Sequence, residues 1–401
     1  MLDSLKKSYR LKKRSVVCFL VGCMATWVVM RTVELISLLS AATSPNAESL
    51  LDVDVNAQVV TTHWNDTSRK KPPTIYFCHP NDGNGMGENK NIMRSALPEY
   101  QFEDMSKIPA NKWHQRMPNR FKDSNEYDLF INPSGPGYSP TVLHWLITRF
   151  NGHIVLFSGE SDLEDPVQGA DKTKVHGFGP VRHPRTGDIT LYYMQLVWWH
   201  RFQDVLSPLA MTDPSHRPRG NQTNYMVYSN ANCVDFREEA VGRLSEFGLV
   251  HCGGKCAGRP PSGDTANLTK IATGVSLHNW WANTHLYSDY RFCVVMEHIA
   301  DHSAYITEKI LMAFIGGCIP IYYGSTGIFD IFNEKAFIFY NISDAQPALG
   351  KVKALENDKE LYEQMLREPI AAHGNSTIEK YFSFSDEVGN GVLKQIIREK
   401  L

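Results

Sequence analysis

Residues 292–339 alternate between apolar runs and polar segments in an order that predicts a β-α-β unit. Two apolar runs of strand length flank a segment whose apolar residues recur at helical spacing, and a polar loop precedes that segment. Two glycines close the helical segment, where a left-handed residue commonly ends a helix. The pattern therefore predicts a strand at Phe292–Met296, a loop at Glu297–Ser303, a helix at Tyr305–Ile315 and a strand at Ile319–Tyr323.

One face of the predicted helix carries an aromatic ring, a carboxylate and an ammonium group. Tyr305, Glu308 and Lys309 share this face because residues three and four apart are neighbours on a helix. Free amide groups and the positive end of the helix dipole favour a phosphate at such a place. Lys309 would neutralise phosphate charge, and Glu308 would accept hydrogen bonds from sugar hydroxyls. For these two residues alone, a solvent-exposed Glu–Lys pair is the simpler interpretation.

The first half of the chain also alternates between strands and helices. Three strand-like runs and one helical segment indicate an α/β domain. A glycine-rich stretch at 81–91 resembles a dinucleotide fingerprint, but its spacing is wrong and no helical pattern follows promptly, so we predict a flexible turn. The predicted elements are strands at Thr74–Cys78, Tyr127–Asn132 and His153–Ser158 and a helix at Pro140–Phe150.

A proline-rich, polar stretch after residue 202 predicts a linker to a second α/β domain. A strand at Asn224–Ser229 follows it, and then a helix that contains Arg237 and Leu244. Amphipathic spacing predicts two later helices, at Leu349–Leu366 and Asn390–Lys400.

The first fourteen residues carry a net charge of +5, whereas the whole chain carries −2. The remainder is therefore acidic and has no nucleic-acid footprint. The sixteen uncharged residues of Ser15–Met30 come next, and a second apolar stretch follows Arg31 and Glu34. Sixteen residues suffice for a thin bilayer if Arg31 reaches the interface, so we expect an uncleaved type II anchor with a lumenal remainder. A signal peptide cleaved near Ala42 is the alternative.

These segments give the predicted domain order. It consists of a cytosolic basic tail (1–14), a transmembrane anchor (15–42), a stem (43–73), a first α/β domain (74–205), a linker (206–223), a second α/β domain (224–370) and a C-terminal segment (371–401). In a lumenal protein the N-x-S/T sequences are plausible glycan acceptors, and in a cytosolic one they are chance matches. They occur at Asn65, Asn221, Asn267, Asn341 and Asn375.

The cysteines are compatible with an oxidising compartment. Two of them lie in the predicted anchor, and the other six are an even number, which permits disulfides without defining their pairing. The spacing of Cys252 and Cys256 could suit a metal knuckle, but no second pair has ligand spacing, so we predict no metal site. The six are Cys78, Cys233, Cys252, Cys256, Cys293 and Cys318.

A longer pattern joins these elements. The motif F-x-x-x-x-E ending at Glu297, the sequence Y-I-T-E-K at 305–309, and the following I-P-I-Y-Y-G and F-N-x-x-x-F-I resemble the donor-binding segment of the α1,3/α1,4-fucosyltransferases, glycosyltransferase family ten. The resemblance covers roughly residues 74–370. It implies a GT-B fold, in which two Rossmann-like domains face each other across a cleft. The family usually has asparagine where this chain has His298.

The resemblance also implies roles for individual residues. The sequence F-S-G-E-S at 157–161 is similar to the acceptor-side half of bacterial members, in which the glutamate is the expected catalytic base, here Glu160. Without the motif, Glu160 is one of several acids on a loop. The start of the second domain, S-N before Arg237 and G-K-C after it, implies that Arg237 faces a diphosphate. The implied donor-binding residues are Arg237, Glu297, Tyr305, Glu308 and Lys309.

The resemblance implies an inverting α1,3-fucosyltransferase that moves L-fucose from GDP-fucose to GlcNAc of a glycan, bound to the Golgi membrane. Protein cations would hold the phosphates, so no cofactor is required, although a divalent ion could assist product release. Two alternatives stay open. One is a GT-B transferase with another nucleotide sugar, and the other is a non-catalytic, glycan-binding secretory protein on the same fold.

Overall fold

The computed structural model describes residues 72–77, 86–105, 121, 124–133, 140–159, 170–260, 267–276, 279–301 and 304–401. All of these lie in one compact unit, Lys70–Leu401. The predicted tail and anchor and nearly all of the predicted stem are outside the described residues, as are Asn65, Cys78 and Glu160. Within the described part of the chain, no helix has the length and apolar character needed to cross a membrane.

The described strands form two parallel sheets of six strands each. The order in the first sheet is β2-β1-β3-β4-β5-β6, and in the second it is β12-β11-β10-β7-β8-β9. The bounds in the first sheet are β1 Thr74–Phe77, β2 Gln101–Asp104, β3 Leu129–Pro133, β4 His153–Phe157, β5 Val175–Gly179 and β6 Ile189–Thr190. Those in the second are β7 Asn224–Asn230, β8 Val250–Gly254, β9 Leu268–Lys270, β10 Tyr290–Met296, β11 Ile319–Tyr323 and β12 Ile338–Phe339. The predicted α/β class with two Rossmann-like sheets is confirmed.

Helices connect these parallel strands. Those of the first half are α1 Met86–Ala96, α2 Pro140–Arg149, α3 Tyr193–Val197, which continues as a wider turn over Trp198–Phe202, and α4 Pro208–Thr212. Those of the second half are α5 Asp235–Leu244, α6 Asn283–Tyr287, α7 Lys309–Gly316, α8 Gln346–Asn357, α9 Lys359–Leu366, α10 Asn375–Phe382 and α11 Val392–Lys400.

The central strands of the second sheet are apolar on both faces because both faces are covered. Along β10, Phe292 and Val294 contribute to one buried cluster, and Cys293 and Val295 contribute to the opposite one. Side chains alternate between the faces of a strand, so a strand covered on both sides becomes a nearly continuous apolar run. This explains why residues 292–296 and 319–323 were recognisable as strands, and the predicted bounds of β11 are those observed.

Three helix predictions were wrong in detail. Helix α7 begins at Lys309 rather than at Tyr305, because residues 305–307 are not helical and a carboxylate engages the amide of Thr307. The predicted helix at Leu349–Leu366 is two helices, since Asp358 is extended and its side chain caps α9 through the amides of Glu360 and Leu361. The predicted turn at 81–91 contains the start of α1 at Met86.

The predicted linker contains a short helix and a buried arginine. Residues Pro208–Thr212 form α4, and Arg217 is buried among elements of the second half. Its guanidinium donates to the carbonyl oxygens of Met365, at 3.2 Å, and Glu368, at 3.1 Å. Burial lowers the pKa of Arg217 to about 10. An isolated arginine in polar sequence gives no sign of such burial, so sequence reasoning missed this residue.

The C-terminal segment packs against the first half of the chain. The Gln195 side chain donates to the Tyr381 carbonyl at 2.7 Å, and the Ser95 hydroxyl donates to the Phe384 carbonyl at 2.8 Å. The Arg398 guanidinium donates to the Ala96 carbonyl at 2.9 Å. Residues distant in sequence thus attach α10 and α11 to α1 and α3.

Two disulfides join the described cysteines of the second half, Cys233 to Cys256 and Cys293 to Cys318. Cys252 is a buried free thiol. Cys233, Cys256 and the Glu238 carboxylate lie within 4.8 Å of one another, a grouping that could hold a metal ion, but both sulfurs form the disulfide in this structure. Cys256 is thus held in a disulfide, and the Cys252–Cys256 spacing does not correspond to a pair of free thiols.

We expect Gly317→Ala to lower the free energy of unfolding by about 2–4 kcal/mol, because alanine is strained in the left-handed region and its methyl would overlap neighbouring backbone. Gly317 has a φ of 79°, and an added Cβ would lie 2.3 Å from the Gly220 nitrogen. Chemical denaturation of the full-length protein measures the change. Gly350→Ala is the control, since its Cβ meets nothing within 4 Å in the exposed middle of α8. It should stabilise by about 0.5–1 kcal/mol. Equal effects in the two variants would contradict the argument.

Candidate functional site

The candidate site lies at the carboxyl ends of two neighbouring strands of the second sheet. Its strand order is that of a Rossmann sheet, and the direction of winding reverses between β7 and β10. β7 ends at Asn230, and Glu297 directly follows the end of β10. Open α/β sheets bind ligands in the crevice at such a switch point. Topology therefore places Glu297, the residues after Asn230 and the start of α7 where a ligand is expected.

A buried carboxylate organises the start of α7. Glu297 has no solvent exposure. Its Oε1 accepts hydrogen bonds from the amide and the hydroxyl of Thr307, both at 2.7 Å, and its Oε2 accepts one from the Lys309 ammonium at 3.0 Å. The ammonium also donates to the Thr307 hydroxyl oxygen at 2.7 Å. Glu297, Thr307 and Lys309 thus form a closed ring of hydrogen bonds, which we call the Glu297 ring.

Lys309 is the partly exposed member of this ring. Its side chain is 23% exposed. Burial alone would lower the pKa of the ammonium, but Glu297 and then Glu308, whose nearer carboxylate oxygen is 4.0 Å away, hold that pKa above its ordinary value. Lys309 therefore stays positively charged at neutral pH and can meet an anion.

A second buried cation, Arg237, lies in α5 just beyond the end of β7. Its guanidinium donates to the Asn232 carbonyl at 3.1 Å and to the Asn230 side-chain oxygen at 3.5 Å. Its Nε has no hydrogen-bond partner within the described part of the chain. Burial lowers the pKa of Arg237, against the opposing effects of Tyr228 and Glu297. The positive charge of Arg237 acts to lower the pKa of Lys309, and an anionic ligand near both cations would offset that repulsion.

Tyr305 and Glu308 do not share a helical face with Lys309, contrary to the sequence prediction. Tyr305 precedes the helix and is buried, with its ring edge-on to His298 at a centroid distance of 4.9 Å. The Tyr305 hydroxyl and His298 Nδ1 are 3.3 Å apart. The Glu308 side chain is 13% exposed, and the residue directly precedes α7 without a side-chain capping hydrogen bond. The five predicted donor-binding residues are nonetheless brought to one edge of the sheet.

Several residues of the site were missed by sequence reasoning. Thr307 completes the Glu297 ring, although it stands in the Y-I-T-E-K motif that pointed to its neighbours. The Tyr322 hydroxyl is buried without a hydrogen-bond partner among the described residues, and it faces Gly324 beside Glu297. Glu238 accepts from the Tyr228 hydroxyl at 2.7 Å and from the Gly258 amide at 2.8 Å. No sequence signal distinguishes Glu238 from its exposed neighbour Glu239.

Glu160, the predicted base, is outside the described residues, but the residue before it is described. Gly159 lies against the ring of Tyr193, and an added Cβ would be 2.3 Å from that ring. Met194 follows Tyr193 in the chain, and its amide donates to the carbonyl of Ile306, the residue after Tyr305, at 3.2 Å. The Tyr193–Met194 peptide thus links the end of β4 with the segment that precedes α7.

The predicted glycan acceptors that the structure describes are all exposed. Asn221 donates through its amide nitrogen to the Asp289 carboxylate at 2.8 Å, and Asn267 donates to the Ser245 carbonyl at 3.2 Å. Asn341 accepts from the Ser343 amide at 2.9 Å, and Asn375 is the first residue of α10. The aromatic pair Trp280–Trp281 packs against Phe202 and Arg201.

A family model for the C-terminal part of glycosyltransferase family 10 (fucosyltransferase) matches residues 218–368. Those residues therefore belong to glycosyltransferase family 10. The matched segment contains β7 and β10, whose ends form the site, as well as Arg237 and the whole Glu297 ring. The predicted resemblance to the fucosyltransferases is confirmed.

Relatives of this family-10 segment include a protein of Acanthamoeba polyphaga mimivirus named as a fucosyltransferase. It is 28% identical over 173 residues, which are 41% of this chain and 28% of the viral protein. An Arabidopsis thaliana α-(1,4)-fucosyltransferase is 28% identical over 153 residues, 37% of this chain and 38% of the plant protein. The matches thus span 28% and 38% of these two relatives. A crystal structure of an α1,3-fucosyltransferase superposes on 75% of the chain, and on 83% of its own, with 21% identity and a TM-score of 0.45.

Proposed function

We propose that this protein is an inverting α1,3-fucosyltransferase, which moves L-fucose from GDP-fucose to a GlcNAc residue of a glycan. The observation that carries the proposal is a pair of partly or fully buried cations, Lys309 and Arg237, at the switch point of a family-10 Rossmann sheet. Buried or shielded cations there suit the diphosphate of a nucleotide sugar.

The donor would lie with its diphosphate between the Lys309 ammonium and the Arg237 guanidinium. As the bond from fucose to the diphosphate breaks, negative charge develops on the leaving oxygen. Fixed cations at that position stabilise the transition state more than the ground state. Glu308, at the partly exposed start of α7, would accept a hydrogen bond from a sugar hydroxyl.

The acceptor reaction needs one base. The GlcNAc hydroxyl oxygen attacks the anomeric carbon of fucose from the face opposite the diphosphate, the carbon–phosphate oxygen bond breaks, and the hydroxyl proton passes to the base. We assign that base to Glu160, on the sequence motif F-S-G-E-S and the position of Gly159 at the end of β4. A single displacement inverts the anomeric centre, and GDP leaves with the electron pair.

We further propose that no cofactor is required, because Lys309 and Arg237 take the place of a metal at the phosphates, although a divalent ion could speed product release. The basic tail and the apolar segment 15–42 support a type II Golgi membrane protein with its catalytic part in the lumen. The two disulfides and the exposed sequon asparagines support an oxidising, glycosylating compartment.

The test is a donor and acceptor panel with the full-length protein. GDP-fucose, GDP-mannose, UDP-galactose and UDP-GlcNAc are each incubated with GlcNAc-containing N-glycans, and released nucleoside diphosphate is measured. We expect GDP release from GDP-fucose alone, and a new fucose on O3 of GlcNAc by mass-spectrometric linkage analysis. Transfer to O4 would overturn the α1,3 assignment but not the assignment of GDP-fucose as donor. The linkage has to be determined because the Arabidopsis relative is named as an α-(1,4)-fucosyltransferase.

The panel also separates the alternatives. Release from another sugar nucleotide would establish a transferase with a different donor. Glycan binding with no release from any donor would establish a non-catalytic lectin on this fold. His298 is the reason for testing the lectin alternative, because it occupies the place of the usual family asparagine and lies against Tyr305.

A further inference from the structure

We propose that Glu297 is the positioning residue of Lys309: it holds the ammonium group in place to meet the donor diphosphate without touching the donor itself. This inference rests on the proposed function and deepens it. Glu297 was expected from the sequence to contact the donor, but its carboxylate has no exposed surface and lies behind Lys309.

The hydrogen bonds of Glu297 leave it no role at the surface. Both carboxylate oxygens are engaged, Oε1 by two groups of Thr307 and Oε2 by Lys309. The carboxylate is a strong hydrogen-bond acceptor that is buried from solvent, and each of these hydrogen bonds is charge-assisted. The ring therefore restrains the ammonium nitrogen from two sides, through Glu297 at 3.0 Å and through Thr307 at 2.7 Å.

The same ring leaves Lys309 able to bind an anion. An ammonium group has three donors, and Glu297 and Thr307 receive two of them. The Glu308 carboxylate is 4.0 Å away, beyond hydrogen-bond distance. The third donor thus has no partner among the described residues, and the side chain reaches solvent at the carboxyl edge of the sheet. A phosphate oxygen can take this donor without displacing either bond of the ring.

The charges around Lys309 come from several elements. Glu297 at the end of β10 and Glu308 at the start of α7 favour the charged ammonium, while burial and Arg237 of α5 oppose it. The Tyr322 hydroxyl of β11 faces the same carboxylate, and the proximity of Glu297 helps to keep that tyrosine protonated. Without the negative charge of Glu297, burial and Arg237 would affect the pKa of Lys309 more strongly than Glu308 does. That pKa would therefore fall.

The variant Glu297→Gln tests the proposal in two ways. Glutamine retains the shape of the side chain but presents no negative charge to Lys309. In the ligand-free, full-length protein, the NMR signal of the Lys309 ε-methylene group, assigned by its loss in Lys309→Arg, reports the titration of the ammonium. We expect the parent to titrate above the ordinary lysine pKa and Glu297→Gln to titrate below it. Titration at the same pH in both would overturn the proposal.

GDP affinity is the second readout. We expect Glu297→Gln to weaken GDP binding by about tenfold to a hundredfold at pH 7, because a displaced or neutral cation loses most of a charge-assisted contact. Because the pKa of Lys309 is raised, its ammonium stays charged until the pH passes that pKa. The parent should therefore bind GDP equally at pH 7 and 9. The variant should lose further affinity over this range, since its ammonium deprotonates earlier. A loss that is the same at every pH would overturn the proposal, because a merely structural defect has no reason to follow the charge of Lys309.

Controls separate positioning from folding and from the proposed function. Glu356→Gln removes a partly buried ion pair with Arg291 elsewhere in the second half, and it should leave GDP affinity and the Lys309 titration unchanged. If Glu297→Gln does not fold, Thr307→Val removes one link of the ring while keeping the Thr307 amide, and it should weaken GDP binding roughly threefold to tenfold. Unchanged GDP affinity in that variant would then overturn the proposal. If the parent binds no GDP but the Lys309 titration shifts as expected, the proposed function fails together with the role toward a diphosphate, and only the control of the Lys309 charge by Glu297 stands.

Discussion

Glu160→Gln is expected to lower the rate of fucose transfer by about 10²–10⁴-fold, the usual contribution of a general base. An acceptor hydroxyl is a poor nucleophile until its proton is removed, and glutamine cannot accept that proton. GDP affinity should remain that of the parent, because the cations that bind the diphosphate, Lys309 and Arg237, belong to the other half of the chain. Steady-state transfer assays and GDP titration of the full-length protein measure the two quantities.

The matched controls are Asp162→Asn and Glu164→Gln, which neutralise acids in the same segment of sequence. Both should retain transfer near the parental rate. Near-parental transfer by Glu160→Gln would disqualify Glu160, and a large loss in one of the controls would assign the base to that residue. Loss of GDP binding together with transfer would show that the substitution disturbs the fold rather than the proton transfer.

Lys309→Ala should weaken GDP binding by about 1.5–3 kcal/mol, the range of a charge-assisted hydrogen bond, which is roughly 10- to 150-fold in Kd. The transfer rate should fall as well, because the same ammonium stabilises the leaving diphosphate. Isothermal titration with GDP and transfer assays at saturating GDP-fucose check the two effects.

This substitution also leaves the Glu297 carboxylate buried without its cation, which can destabilise the protein. The double variant Lys309→Met with Glu297→Gln removes both charges and isolates the binding effect. We expect it to regain much of the lost stability while GDP binding remains weak. Recovery of GDP affinity in the double variant would show that the diphosphate is held elsewhere.

Six of the twelve described strands, three inside each sheet, were predicted from local sequence. The central strands of the second sheet are covered on both faces, so runs such as 292–296 and 319–323 are apolar at every position and can be recognised without tertiary information. Gly317 marked the end of α7 because few other residues adopt its backbone conformation. Strand order was not predictable in this way, since pairing joins residues as distant as Asn224 and Tyr290.

Helix starts were the weaker predictions, and the reason is local competition for backbone groups. The segment 305–309 has helical spacing, yet Glu297 accepts from the amide of Thr307 and helix α7 begins only at Lys309. Asp358 likewise uses its side chain to begin α9 in the middle of a continuous amphipathic pattern. In both cases a hydrogen bond from a backbone amide to one carboxylate, of Glu297 or of Asp358, decided where the helix begins, although the apolar spacing predicted a different start.

The sequence by itself determined the family motif, the sign of the charge at the site and the residues that carry it. Arg237, Glu297 and Lys309 could be named from their order along the chain, because the motif preserves the chemistry that a phosphate ligand needs. Only the tertiary structure decided which of them can meet a ligand. Burial separates Glu297, which is fully enclosed, from Lys309, which reaches solvent, although both are charged residues in one short motif. Exposure depends on how β10, β11 and α7 pack together, and no single segment contains that information.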